Sequence, residues 1–206
     1  MKGEVLPLFS IAPVMAFTYE GELDPIFEYI KTLEYDQESE GNAKSSDRYI
    51  LKQEIFQDLN KFFLESIQIY AKKICDTDHT ATIQQSWVNV NQPGKQHPSH
   101  WHSNSWLSGV FYIASDGDKG SPITFHSGLK NFAYNFDDPD GDAEFNPYTC
   151  SSCDIASIPG NLLIFSSLQP HSVPVNRSET NRVSISFNTF PTVPFGGRDR
   201  LNLIDF

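Results

Sequence analysis

Between residues 182 and 190 the side chains change character at every step: Arg182, Ser184, Ser186 and Asn188 alternate with Val183, Ile185, Phe187 and Thr189. A period of two marks an extended strand, because successive side chains leave a pleated backbone on opposite faces. One face must be packed. The other carries an arginine, two serines and an asparagine, and it either meets solvent or lines a cavity inside a barrel or sandwich; alternation alone is compatible with both. From residue 82 onward, similar short alternating runs separated by Gly, Pro, Asn and Asp fill most of the chain, as in an antiparallel sandwich or barrel.

Upstream the period is different. Residues 4–20 hold β-branched and aromatic residues broken by Pro7 and Pro13, which suggests two short strands. Asp24 is then placed to cap a helix with Pro25 at its first position and Ile26, Phe27, Ile30 and Leu33 at helical spacing, ending near Tyr35. Residues 36–47 have almost no apolar content and read as an exposed loop closing on the capping candidates Ser45, Ser46 and Asp47. A second helix is expected from about Gln53 to Cys75, with Ile55, Phe56, Leu59, Phe62, Phe63, Ile67, Tyr70, Ala71 and Ile74 on one side for packing. These patterns predict a mainly β chain folded as one domain over residues 1–206. Residues 1–80 form supporting strands and helices, 83–190 the β core and 191–206 a C-terminal tail.

Composition narrows the functional classes. With 206 residues, a formal charge of -11 and 26 acidic against 15 basic side chains, the chain lacks the clustered cations that general nucleic-acid binding needs. Its apolar runs are too short for a membrane span, and an early acid and early prolines break any secretory-type leader, so a cytoplasmic protein is expected. Three cysteines, Cys75, Cys150 and Cys153, form no even disulfide framework. Cys150-Ser-Ser-Cys153 has the spacing of a redox pair or of half a zinc knuckle, yet a full zinc site lacks its second pair, and ordinary thiols in a loop are the simpler reading. Residues 127–154 form a long irregular stretch, a candidate lid. Its acidic run Asp137-Asp138-Pro139-Asp140-Gly141-Asp142 puts Phe136 where a calcium loop needs its first ligand, so a solvated loop is expected there. Asn176-Arg-Ser178 matches a glycosylation sequon by chance.

The chemistry concentrates in histidines. His97, His100, His102 and His126 fall within thirty residues, and His171 follows the strand-like Pro159–Phe165. His100-Trp101-His102 puts two imidazoles on one side of an extended segment, where a third from another strand completes a metal site. Arg182 offers a guanidinium fork to a carboxylate, with Ser184 on the same face. The three tryptophans, Trp87, Trp101 and Trp106, are candidate pocket walls or ordinary packing.

On these residues the sequence resembles the Fe(II)- and 2-oxoglutarate-dependent oxygenases, in particular the small prolyl-hydroxylase-like group, across roughly residues 83–190. The segment Asn91-Gln-Pro-Gly94-Lys-Gln-His97-Pro-Ser-His100-Trp-His102 keeps the glycine-to-histidine spacing, with His97 where the group has a tyrosine. Gly120-Ser-Pro-Ile-Thr124-Phe125 is similar to a further strand of the family, and Gly160–Phe165, His171 and Arg182-Val-Ser184 look like its closing stretch. The resemblance implies a double-stranded β-helix, or jelly roll, with N-terminal packing helices. It further implies iron held by His100, His102 and His171, and a 2-oxoglutarate carboxylate held by Arg182 and Ser184, with His97 and Tyr112 as further contacts. The implied reaction uses dioxygen, converts 2-oxoglutarate to succinate and carbon dioxide, and hydroxylates a small-molecule or peptide substrate.

One departure stands out. The usual second ligand is a carboxylate two residues after the first histidine, and His102 occupies that position. A neutral imidazole leaves the same number of open metal positions but makes the site one charge more positive. Asp116 and Asp118 lie beyond the next strand and are poor substitutes. Two other readings stay open. A cupin-type metal dioxygenase that does not use 2-oxoglutarate shares the glycine before His-X-His but lacks the glutamate that should follow, and it does not require Arg182. A non-catalytic β-sandwich binding module would need neither converging imidazoles nor the arginine.

Overall fold

The computed structural model of the chain describes residues 13–37, 42–116, 121–127, 146, 150–192, 196 and 199. Its elements run β1 (Met15–Thr18), α1 (Asp24–Ile30), β2 (Tyr35–Gln37), β3 (Asn42–Ser45), two 3₁₀ turns (Ile50–Lys52 and Glu54–Phe56) and α2 (Gln57–Cys75). Then come β4 (Ala81–Asn91), β5 (His97–His100), β6 (Leu107–Ala114), β7 (Ile123–His126), β8 (Ser152–Ile155), β9 (Asn161–Ser166), β10 (His171–Val173) and β11 (Arg182–Pro191).

Two antiparallel sheets are formed among the described residues. The larger has the order β1-β9-β6-β11-β4-β3-β2 and the smaller β5-β10-β7-β8. Each face of the larger sheet packs on something different. Phe111, Leu162, Ile164, Val183, Ile185 and Phe187 join Leu59, Phe63, Ile67 and Tyr70 of α2 in one core. The intervening residues Val110, Tyr112, Leu163 and Phe165 meet Ile123 and Phe125 of the smaller sheet in a second. The helices therefore cover the outer face, and the facing sheets enclose an inner space, as the resemblance implied. Close packing has a local requirement at Gly109, where a Cβ would come within 2.1 Å of the Phe187 ring.

Several expected boundaries move. Asp24 is the first residue of α1 and not its cap; Leu23 holds the cap position with no side-chain hydrogen bond, and Pro25 sits in the first turn. The helix ends at Ile30, whose carbonyl accepts the Tyr35 hydroxyl at 2.8 Å, because Tyr35 already belongs to β2. The 36–47 segment is not simply an exposed loop: β3 pairs with both β2 and β4, and Asn42, Ala43 and Ser45 are buried. Ser45 is not a helix cap either. Its hydroxyl accepts the Val88 N–H at 3.0 Å and donates to the Asp47 carbonyl at 2.8 Å, tying β3 to β4. The second helix starts at Gln57, four residues later than expected, after two tight turns, and Ile55 and Ile74 are exposed. Within the long 127–154 stretch, Ser152–Ile155 forms an edge strand on β7. The acidic run 137–142, most of the candidate lid, residues 4–12 of the segment expected to form two short strands, and most of the C-terminal tail lie outside the described residues.

Candidate metal and carboxylate site

The inner face of the larger sheet carries the polar residues that alternation had left undecided. Asn89 and Asn91 on β4 and Ser184, Ser186 and Asn188 on β11 line a cavity of about 520 Å³ between the two sheets, with His97, His100, His102 and His171 on its other wall. The volume falls in the range of roughly 300–1,000 Å³ typical of small-molecule sites.

Strand pairing brings the histidines together. His171 on β10 lies directly across from His100 at the end of β5. The same pair of strands has a register shift, so that Val173 opposes His97 and two residues of β10 span three of β5. The extra residue turns His97 and His100, three apart, to the same cavity, with ring centroids 4.2 Å apart. The approach to this segment requires Gly94 at φ +78, where its N–H donates to the Asn176 carbonyl. His102 follows the strand end, its backbone N–H donating to the Ser167 carbonyl at 2.8 Å.

One ring nitrogen from each of His100, His102 and His171 lies within 4.8 Å of the others. His97 lines the same cavity but is not in this group. Nδ1 of His100 lies 2.9 Å from the Pro98 carbonyl, and Nδ1 of His171 lies 2.9 Å from the Gln169 carbonyl. A carbonyl only accepts, so in both rings Nδ1 bears the proton and the Nε2 lone pair is left for an ion. Burial, reinforced by neighbouring imidazoles, lowers the pKa of His171 from 6.5 to about 3 and that of His102 to about 4. His97 falls to about 3 for the same reason, with the Lys44 charge adding to the effect. These rings are neutral at neutral pH, the state a metal requires.

The deeper end of the cavity is built around Arg182, which is only 3 % exposed. Its Nε donates to the Ser121 carbonyl at 3.0 Å, its Nη1 to Asn91 Oδ1 at 3.3 Å and to Ser184 Oγ at 3.4 Å. The guanidinium lies over the Tyr112 ring, 4.9 Å from its centroid. Burial pulls the Arg182 pKa down and pushes the Tyr112 phenol up, each offset in part by the other's proximity. Around this cation, Asn91 Nδ2, Tyr112 Oη and Ser121 Oγ are buried without a well-formed hydrogen bond. Orphaned buried donors are costly. Three of them lie beside a buried guanidinium, with no acidic residue among the described cavity lining, an arrangement that could receive a carboxylate.

A family model described as "Putative 2OG-Fe(II) oxygenase" matches residues 85–188, just over half of the chain. The chain belongs to the 2OG-Fe(II) oxygenases. The match excludes the cupin and binding-module alternatives, and makes the protein an oxidoreductase that uses Fe(II), 2-oxoglutarate and dioxygen. No curated protein matches it significantly. Solved structures share its double-stranded β-helix fold. An oxidoreductase of the 2OG-Fe(II) oxygenase family from Burkholderia pseudomallei aligns with TM-score 0.59 at 14% identity over 85% of this chain and 83% of that one. HygX from Streptomyces hygroscopicus, solved with nickel and 2-oxoglutarate bound, aligns with TM-score 0.61 at 8% identity over 88% and 84%. A Pseudomonas putida prolyl-4-hydroxylase aligns with TM-score 0.55 at 13% identity over 86% and 92%.

The oxygenase's donor set fits both groups: three clustered imidazoles suit a divalent first-row metal, and the surroundings of Arg182 suit a keto acid's distal carboxylate. Other candidates sit elsewhere. Trp87 lines the cavity, its ring centroid 6.2 Å from that of His102, whereas Trp101 is 62% exposed and Trp106 packs into the helix-side core. His126 bonds Ser172 instead of entering the metal group, Asp116 is exposed, and Cys75, Cys150 and Cys153 are free thiols. Asn176 is 1% exposed and its side chain is tied to Asn91, Ser178 and Thr180, so its sequon is sterically closed. Sequence reasoning missed Asn91 and Ser121. Asn91 could have been found as the last polar residue in the alternating series Trp87, Asn89, Asn91; Ser121 offers no such signal. No helix among the described residues is long and apolar enough to cross a membrane.

Proposed function

We propose that the protein is a hydroxylase in which His100, His102 and His171 hold Fe(II), and Arg182, Ser184 and Tyr112 hold the distal carboxylate of 2-oxoglutarate, joined by Asn91 and Ser121. The observation that carries this reading is the sharing of one cavity by a cluster of three imidazoles and by a buried guanidinium ringed with unsatisfied donors. When bound, iron and the keto acid supply the oxidising chemistry, in which 2-oxoglutarate and dioxygen are consumed and a substrate C–H bond becomes C–OH.

The chain's own part is positioning and exclusion. The carbonyls of Pro98 and Gln169 set the tautomers of His100 and His171. Arg182 supplies a charge-assisted anchor that fixes the keto acid's orientation, since its guanidinium is itself held by Ser121 and Asn91. Trp87 and Asn89 form a wall toward which a small-molecule or peptide substrate would be presented, braced by the Trp87 Nε1–H donating to Asn89 Oδ1 at 3.1 Å and Asn89 Nδ2 to Ser186 Oγ at 2.9 Å. His97 adjoins His100 at the edge of the cavity and serves as a further contact to 2-oxoglutarate. Free thiols and a requirement for ferrous iron fit the reducing cytoplasm.

Anaerobic addition of Fe(II) and then 2-oxoglutarate tests this. The purified protein is expected to develop the visible charge-transfer band of a chelated keto acid, absent in His171→Ala, and to form succinate on admission of air. A wild-type protein that binds neither iron nor 2-oxoglutarate contradicts the assignment. Succinate formation across a panel of peptides, amino acids and small molecules then identifies the substrate.

A further inference from the structure

His102 is held differently from the other two histidines. The rings of His100 and His171 are each fixed by a carbonyl two residues earlier in their own segment. Nδ1 of His102 faces instead the side-chain amide of Asn188, at 3.5 Å. An amide can turn either end to the ring, and the two ends have the same shape; the neighbouring hydrogen bonds decide between them. Oxygen facing the ring requires a proton on Nδ1 and leaves Nε2 able to ligate. Nitrogen facing the ring requires the reverse.

As placed, Nδ2 faces the ring and Oδ1 lies 2.8 Å from Ser108 Oγ, so the choice between the two orientations turns on whether Ser108 has a proton to give. Ser108 Oγ is 2.8 Å from Ser167 Oγ, which is 2.7 Å from Ser105 Oγ, and Ser105 Oγ is 3.2 Å from the carbonyl oxygens of both Leu107 and Thr189. Each hydroxyl has one proton to donate. Carbonyls only accept, so the Ser105 proton points to them. Ser167 then has to donate to Ser105, and Ser108 to Ser167. No hydroxyl proton remains for the last link, so Asn188 must donate through Nδ2 to Ser108. The two carbonyls already accept from Thr189 Oγ1 and the Trp106 N–H, so the direction is decided at the next link: the reverse chain would make Ser105 donate to Ser167, against the geometry of that contact, in which Ser167 is the donor and Ser105 also accepts the Thr189 N–H at 3.2 Å.

We infer that Asn188 is a positioning residue for His102: with Nδ2 committed to Ser108, its Oδ1 accepts the His102 Nδ1–H and leaves Nε2 for the metal. Asn188 stands in for the backbone carbonyls that serve His100 and His171, and the Ser108–Ser167–Ser105 chain sets its orientation. This deepens the proposed function and rests on its assignment of His102 as a ligand. Breaking the chain at either Asn188 or Ser108 releases the ring from its ligating tautomer.

The tautomer is measured in the metal-free protein by ¹⁵N NMR of the histidine side chains at neutral pH, so the answer does not depend on whether iron binds. The wild type is expected to show His102 with the proton on Nδ1, and Asn188→Ala to move it toward Nε2–H. In Fe(II) titrations, Asn188→Ala is expected to weaken iron binding by about 10- to 100-fold, the usual effect of losing a ligand's outer partner. Asn188→Asp, which keeps the acceptor, is expected to restore most of that affinity and to shift the energy of the 2-oxoglutarate band. A wild-type His102 protonated on Nε2 overturns the inference, and so does an Asn188→Ala protein whose tautomer and iron affinity are both unchanged.

Discussion

The two faces of β11 (Arg182–Pro191) share a backbone and differ in almost everything else. Val183, Ile185 and Phe187 pack on the outer side with the helices, in a core where each methylene removed from water stabilises the fold. Arg182, Ser184, Ser186 and Asn188 turn inward, where Arg182 and Ser184 are as thoroughly buried as their apolar neighbours. Burial is therefore not what separates the faces. On the outer face it is favourable by itself; on the inner face each polar group needs a partner, and beside Arg182 the neighbours Asn91 Nδ2, Tyr112 Oη and Ser121 Oγ lack one, a cost that the proposed carboxylate would offset.

Substitutions can break that contrast. Ile185→Ala is expected to destabilise the protein by about 2–5 kcal/mol, the range for truncating a buried aliphatic side chain, with little change in the 2-oxoglutarate affinity of the folded protein. Urea unfolding beside ligand titration checks both halves. Arg182→Met should shift the loss to binding. Replacing the buried charge by an apolar side chain of similar length relieves its desolvation but leaves the Ser121 carbonyl and Asn91 Oδ1 without their donor, so stability is expected to fall by no more than about 1–3 kcal/mol, while removing the charged partner costs about 2–5 kcal/mol of 2-oxoglutarate binding.

Asn91→Ala removes one of the orphaned donors facing the carboxylate and is expected to cost about 1.5–3 kcal/mol in the same titration, the value of a hydrogen bond to a charged group. A separate effect concerns pH. In the unfolded chain the histidines take up protons below their ordinary value of 6.5, whereas folded His97 and His171 resist until about 3 and His102 until about 4. Within that window the unfolded state binds more protons, so metal-free protein should lose stability as pH falls from about 6.5 toward 4. Urea midpoints independent of pH across that interval would contradict the buried, neutral imidazoles.

What was legible in the sequence follows the same division. The alternation of β11 and the spacing of His100, His102, His171 and Arg182 are local patterns, and they survive folding unchanged. The inner face was harder because its residues meet across strands far apart in the chain. Asn91 and Arg182 are opposite each other only through the β4–β11 register, and Ser121 reaches Arg182 from another part of the chain. The same cause hid β3. Asn42 and Lys44 look like a solvated loop by composition, yet they line a polar cavity while Ala43 and Ser45 pack. The helix ends were misplaced because Tyr35 and the turns at Ile50–Phe56 answer to the sheet rather than to helical periodicity.

The most direct test of a single site with a metal end and a carboxylate end is a side-by-side anaerobic titration of Fe(II)-loaded wild type and Arg182→Met with 2-oxoglutarate. Both proteins are predicted to reach the same visible band at saturation, because the imidazole end is intact. The variant is predicted to need at least about 30-fold more 2-oxoglutarate to reach it. Equal half-saturation in the two proteins would contradict the account, since Arg182 would then have no part in holding the keto acid.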